Sequence, residues 1–441
     1  MAVDSSTGWN RTTFVHRLPD ARPRMSPRRP GGLILANRGL AAVGVTFLAV
    51  ALAAGVWVTR GSGQGQQPEP MAIAPSTRPR TAGSIPSDTT RPAFHKQAVV
   101  KPAPSRPASS AVADQLDPAS WSSSQLAAVL LMTGAKMDDS SVIQHAAAMG
   151  IGGVVLFGPS SPDLAQTLSK ARALAPKDNP LLIASDEEGG RVQRLASLIY
   201  PLPSAEAMGD WSPARITITA RDYALRMRAL GVNVALSPDA DVAAAGYFIA
   251  ATERSFSSDP KLVGVDVNAW NDGLEAAGVL GIIKHWPGHG HATDSQVGIA
   301  VTPPWSVLQG RDLIPFKAAI AHHADAVMIG HLRVPGLTEG SLPASESPTA
   351  LRTLRAQAGA AVLIITDDLS MDAASKALGI SPAQAAVRAL VAGADVAMVC
   401  WAPIDGVTSA VTQALNDGQF PRAQAVASAR RVLRAKRQVA S

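Results

Sequence analysis

From about residue 115 onward the chain alternates short apolar runs with amphipathic stretches, and this alternation constrains the fold more than any other feature. The runs occupy residues 153–157, 181–184, 232–236, 279–284, 326–329, 361–366 and 394–399. Each is bounded by turn residues, and stretches such as 162–173 and 383–391 between them carry helical periodicity. Strands that alternate with helices read as βαβ units of a parallel sheet. Roughly 320 residues in one such rhythm suit a single closed barrel better than two open sheets. The expectation is therefore an α/β fold of the (β/α)8, TIM-like type over residues 115–441. Seven strands are identifiable, and the eighth is expected to be short or irregular.

The chain ahead of this domain has a different composition. Residues 39–58 run for 20 positions without a charge, long enough to cross a bilayer as a helix. Arg22, Arg24, Arg28, Arg29 and Arg38 lie on the N-terminal side of the run, whereas Arg60 is followed by no basic residue until Arg78. The positive-inside bias then places residues 1–38 in the cytoplasm as a basic tail, with 39–59 as a single-pass membrane anchor and the domain outside. A cleaved, secreted form is the competing expectation, because Ala51-Leu52-Ala53 has the small-x-small form of a cleavage site. Residues 60–114 are rich in Pro, Ser and Thr, with nine prolines between 61 and 114. They read as a disordered spacer that holds the domain away from the membrane.

Charge excludes one class of function. The net charge of +6 is concentrated in residues 1–38, which hold seven Arg and two Asp, leaving 33 basic and 32 acidic residues elsewhere. A nucleic-acid partner needs a basic surface on the folded domain, and this balance offers none. Cys400 is the only cysteine, so no intrachain disulfide forms and no N-terminal cysteine carries a lipid. At the end of the apolar run 396–399 it reads as a small buried hydrophobe.

Polar residues gather just after the apolar runs: Asp186-Glu187-Glu188, Asp239 and Asp241, Lys284-His285, His331, and Asp367-Asp368. In a parallel barrel these positions share the C-terminal rim, where active sites are built. Asp367 follows the run 363–366, so its carboxylate should leave a buried strand for the barrel mouth, where a glycosidase needs one to attack an anomeric carbon. For Asp368 a helix N-cap is an equal reading. The loop 186–194 combines three acids, Gly189-Gly190, Arg191 and Arg194. It reads either as a ligand-binding turn or as a solvated turn with self-paired charges. Three of the nine histidines fall within 284–291. His289-Gly290-His291, with His331 and Asp367, also has the spacing of a barrel metallohydrolase, which leaves metal binding open beside a structured turn.

Taken together, the blocks Asp186 to Arg194, Ser237-Pro238-Asp239-Ala240-Asp241-Val242, Glu253 to Pro260, Lys284 to Gly290 and Thr366 to Met371 resemble the bacterial β-N-acetylglucosaminidases (β-hexosaminidases) of glycoside hydrolase family 3. The resemblance runs from about Leu116 to Arg437. It implies a single barrel without metal or other cofactor, expected to be monomeric. It implies a retaining exo-glycosidase that releases terminal N-acetylglucosamine-type residues, with cell-wall peptidoglycan fragments as the expected substrate. By similarity Asp367 is the nucleophile that forms a covalent glycosyl-enzyme intermediate. Asp186, Arg194, Arg254, Lys284 and His285 fall where the family binds the sugar.

The chain departs from the family at Asp294-Ser295-Gln296. The family's loop ends Asp-Ser-His, and that histidine is the general acid/base; here the position is Gln296, and the loop is one residue short. A glutamine amide neither protonates a leaving oxygen nor activates water. His291 and Asp294 are the candidate replacements on the same loop. If neither serves, the expectation is an impaired, wall-tethered amino-sugar or muropeptide binding protein.

Overall fold

The structure, a computed structural model, describes residues 117–439. Its center is one parallel sheet with strands β1 (Leu131–Lys136), β2 (Gly153–Phe157), β3 (Leu182–Ser185), β4 (Val234–Ala235), β5 (Leu280–Gly281), β6 (Ile283–Trp286), β7 (Ala326–Ile329), β8 (Leu363–Asp368) and β9 (Val396–Val399). Their spatial order is β5-β4-β3-β2-β1-β9-β8-β7-β6. The two ends of that order, β5 and β6, are consecutive in the chain and separated by Ile282 alone. The nine segments therefore make eight staves of a nearly closed, barrel-like α/β fold.

The seven expected runs all become staves; 153–157 and 326–329 match at both ends, and the others shift by at most two residues at either end. The stave that periodicity did not reveal is β1. The helix Ser123–Val129 ends one residue before it, so residues 126–132 read as one apolar run, and Thr133, Gly134 and Lys136 then break the pattern. The run 279–284 extends to Trp286 and is interrupted at Ile282, whose N–H bonds the carbonyls of Ala235 and Ser237 instead of continuing the ladder.

The staves are apolar along their length because both faces are covered, the outer one by helices. Those helices start where Ser or Asp precedes Pro. Ser212 caps Pro213–Leu230, Asp259 caps Pro260–Ala276, and Ser381 caps Pro382–Ala392 in a capping box with Gln384. In each case the side chain satisfies an otherwise orphaned N–H, and proline takes a position where no donor is needed. Tyr223, Trp270, Trp286 and Phe316 are fully buried between the layers, and an aliphatic or aromatic side chain so placed contributes roughly 1.5–3 kcal/mol. The C-terminal helix Arg422–Val439 is tied to the barrel through Asp395, which accepts from Ser428 Oγ (2.9 Å) and Arg431 Nε (2.8 Å).

The expected tail 1–38, anchor 39–59 and spacer 60–114 lie outside the described residues. Among the described residues no helix is long and apolar enough to cross a membrane.

Candidate active site

A cavity of about 490 Å³ opens over the C-terminal ends of the staves. Asp186, Arg194, Arg254, Lys284, His285, Asp294, Gln296 and Asp367 all line it, and so do Glu188, His289 and Trp401. Residues far apart in sequence meet here because each lies in the C-terminal part of a stave or in the loop that follows it.

The loop after β3 is a small hairpin of Glu187–Gly189 against Val192–Gln193. Its turn depends on glycine: Gly189 has φ +90°, and a Cβ there would fall 2.1 Å from the Pro203 carbonyl oxygen. Its acids are not solvated. Glu187 is buried and accepts from Ser185 Oγ (2.6 Å), the Tyr223 hydroxyl (2.6 Å) and the Leu195 N–H (3.1 Å). Burial nevertheless pushes its carboxyl up to about 7, so Glu187 braces the hairpin. Glu188 is 4% exposed and receives Arg254 Nε and Nη2 at 2.7 and 2.9 Å, with Lys284 Nζ at 2.6 Å. Burial opposes its charge, but Arg254 and Lys284 together hold the carboxyl down to about 2. Asp186 receives Lys284 Nζ at 3.0 Å and Arg194 at 3.5 Å. Apart from the Asp186–Arg194 pair, the loop's acids thus engage Lys284 and Arg254 from elsewhere in the barrel, which orients both cations in the cavity wall.

Below these cations lie Asp239, Asp241 and His285, three groups whose donor atoms come within 4.8 Å of one another and which could hold a metal ion. The protein's own groups already occupy this cluster. Arg254 is 3.3 Å from Asp239, His285 Nδ1 is 2.8 Å from Asp241, and the His289 N–H is 2.5 Å from Asp241. Burial, and for Asp239 its neighbor Asp241, raises both carboxyls above their usual range. Burial also lowers His285, whose Nδ1 is held by the Asp241 carboxylate. A dication would stand against Arg254, so the donor set does not fit one. His289, His291, His331 and Asp367, the alternative ligand set, do not form a grouping within ligand reach among the described residues.

Asp367, next to last in β8, is 8% exposed. Burial works against its charge, but His285, His331, the Asp368 N–H and Lys284 outweigh it and keep the carboxyl below its usual range. Asp368 turns the other way and accepts the N–H groups of Ser370 and Cys400, each at 2.9 Å. It ties loops together rather than capping a helix. His331 Nε2 donates to the Asp368 carbonyl oxygen (2.8 Å), which leaves Nδ1 to accept from Ser345 Oγ (2.8 Å) and fixes the strand end that presents Asp367.

The loop 291–296 divides. Asp294, Ser295 and Gln296 line the cavity, whereas His291 does not. His291 Nδ1 meets Asp312 at 3.3 Å, and its ring lies 5.6 Å from that of Tyr247. Of the further lining residues, Glu188 stands among the rim acids and His289 among the candidate metal ligands of the sequence, whereas Trp401 carries no functional signal there. His289 is buried with both ring nitrogens unpartnered.

Comparison with known proteins places the whole domain. Residues 124–435 match the glycosyl hydrolase family 3 N-terminal domain. Beta-hexosaminidase LpqI of Mycobacterium tuberculosis is 41% identical over 252 residues, covering 55% of this chain and 64% of the relative, so the match spans a little under two-thirds of that relative's length. A beta-hexosaminidase of Xanthomonas euvesicatoria is 37% identical over 272 residues, covering 58% of this chain and 78% of the relative. Among solved structures, a glycosyl hydrolase of the same family from Mycobacterium smegmatis aligns with TM-score 0.67 at 38% identity, covering 73% of this chain and 98% of that one. A β-N-acetylglucosaminidase of a Paenibacillus species aligns with TM-score 0.68 at 29% identity, covering 72% of this chain and 62% of that one. Since the family match runs from the barrel's first helix into its last, this chain belongs to glycosyl hydrolase family 3.

Proposed function

We propose that the protein is a retaining exo-glycosidase that releases terminal β-N-acetylhexosamine residues, with Asp367 attacking the anomeric carbon to form a glycosyl-enzyme intermediate. The observation that carries this reading is the setting of Asp367. Its carboxylate is kept ionized in the cavity, while two other acids of the wall, Asp186 and Glu188, are engaged by Lys284, Arg194 and Arg254. Lys284, Arg254, Arg194, Asp186 and His285 then form the polar wall that holds a neutral sugar. Such a wall must be fixed in advance, because each buried group left unpaired costs about 1–3 kcal/mol. The names of the β-hexosaminidase relatives support the N-acetylated amino sugar. The apolar run 39–59 and the spacer 60–114 support a membrane-anchored enzyme acting on peptidoglycan fragments outside the cytoplasm.

For proton transfer the reading assigns Asp294, the titratable residue of its loop that lines the cavity. Gln296 lines it too and transfers no proton, and this observation favors a second reading: an amino-sugar binding protein of low turnover. One assay separates them. Release of N-acetylglucosamine from an aryl N-acetyl-β-glucosaminide is measured for wild type and Asp367→Asn. Turnover by wild type that vanishes in the variant, with a covalent sugar adduct detected by mass spectrometry, is the expected result. Equal turnover by the two removes Asp367 as nucleophile; binding without turnover in wild type selects the second reading.

A further inference from the structure

The barrel rim exposes an indole that the chemistry above does not use. Trp401 is 59% exposed although Val399 and Cys400, just before it, are buried. Its backbone is held firmly: the Trp401 N–H donates to Ser370 Oγ at 3.1 Å, while the N–H groups of Ser370 and Cys400 both donate to Asp368 Oδ1. Asp368 is the chain neighbor of Asp367, so the indole is pinned to the strand end that presents the reacting carboxylate. Its ring packs against Phe157 with centroids 5.0 Å apart and planes tilted by 47°.

Trp401 also lines a second cavity, of about 550 Å³, whose wall includes Ser141, His145 and Asp405. His145 Nε2 and both Asp405 carboxylate oxygens are 3.1 Å apart. The indole therefore lines both the catalytic cavity and a mostly apolar neighbor that holds His145 and Asp405 at its wall. A large aromatic left half in water beside a catalytic cavity offers a flat apolar face to a ligand. A pyranose has the matching chemistry, with an apolar C–H face for the ring and a rim of hydroxyls for polar groups.

We propose that Trp401 is the platform for the sugar on the leaving side of the scissile bond, with that sugar's hydroxyls reaching toward His145 and Asp405. The ligand class is a saccharide of at least two units. The orientation, non-reducing sugar over Asp367 and second sugar on Trp401, rests on the glycosidase reading; the existence of the platform does not.

The test is calorimetric binding of N-acetylglucosamine and of its β-1,4-linked disaccharide. It uses the Asp367→Asn protein, in which the disaccharide stays intact, with and without Trp401→Ala and Trp401→Phe. The disaccharide is expected to bind the parent more tightly than the monosaccharide. Trp401→Ala should weaken the disaccharide about tenfold while shifting the monosaccharide less than about twofold, and Trp401→Phe should restore most of the difference. An unchanged disaccharide affinity, equal weakening of both ligands, or no disaccharide preference in the parent overturns the platform. Wild type that keeps the Trp401-dependent preference yet releases no sugar defeats the glycosidase reading and leaves the platform standing.

Discussion

The Gln296 N–H donates to the Asp294 carboxylate at 2.9 Å, so the residue that the resemblance sets at the acid/base position holds the one carboxylate of its loop in place. The carbonyls of Ser295 and Gln296 accept from the N–H groups of Ala373 and Asp372, both at 3.3 Å, docking the loop on the segment after Asp367. Asp294→Ala is expected to lower kcat on a natural disaccharide by about 10²–10⁴, and by much less on an aryl substrate whose leaving group needs no proton. His291→Ala should change neither by more than a few-fold, since that ring stays with Asp312. Gln296→His should raise disaccharide turnover. Parallel kcat measurements on the two substrates check all three.

Arg254 is the second point of leverage, because it neutralizes Glu188 and stands against Asp239 in a buried setting. Arg254→Met removes the cation that faces Asp239 and leaves Glu188 with Lys284 alone, and is expected to cost about 3–5 kcal/mol of stability. Adding Glu188→Gln should recover part of that loss, because the two side chains share one interaction. Urea unfolding of the single and double variants measures the coupling.

Glu346 should make stability fall with rising pH. Neither of its carboxylate oxygens has a hydrogen-bond partner, and Arg388 is 3.8 Å away. Burial, only partly offset by Arg388, pushes its carboxyl from 4.5 up to about 8. The folded state therefore keeps a proton that the unfolded chain releases, so stability is lost as pH rises from 4.5 through about 8. Glu346→Gln should abolish a loss on the order of a few kcal/mol. Thermal melts at about pH 5 and pH 9 should then differ less in the variant than in wild type.

Gly290 is required by space. A Cβ there would sit 1.8 Å from the Val242 carbonyl oxygen, a backbone atom that cannot turn aside. Gly290→Ala is expected to destabilize by at least about 1–3 kcal/mol and to displace the His285 to His291 segment. A lowered urea midpoint together with reduced turnover is the expected pair of readings.

Much of this could be read from the chain itself. Staves covered on both faces must be apolar throughout, so seven of them stand out as runs, and polar residues at their ends mark the rim. Asp186, Lys284, His285 and Asp367 were legible for that reason. The stave Leu131–Lys136 was not, because a buried helix runs almost directly into it and the two share one apolar stretch.

What the tertiary structure alone decided is which charges meet and which way each ring turns. Glu188, part of an acidic turn that could as well have been solvated, is paired with Arg254 from 66 residues away. His291, next to the site in sequence, turns to Asp312 outside the cavity wall, while Trp401, read from sequence as nothing in particular, stands in it. Local periodicity reports burial along one strand or helix. The pairing of side chains from different staves exists only once the ring has closed and brought their ends to one rim.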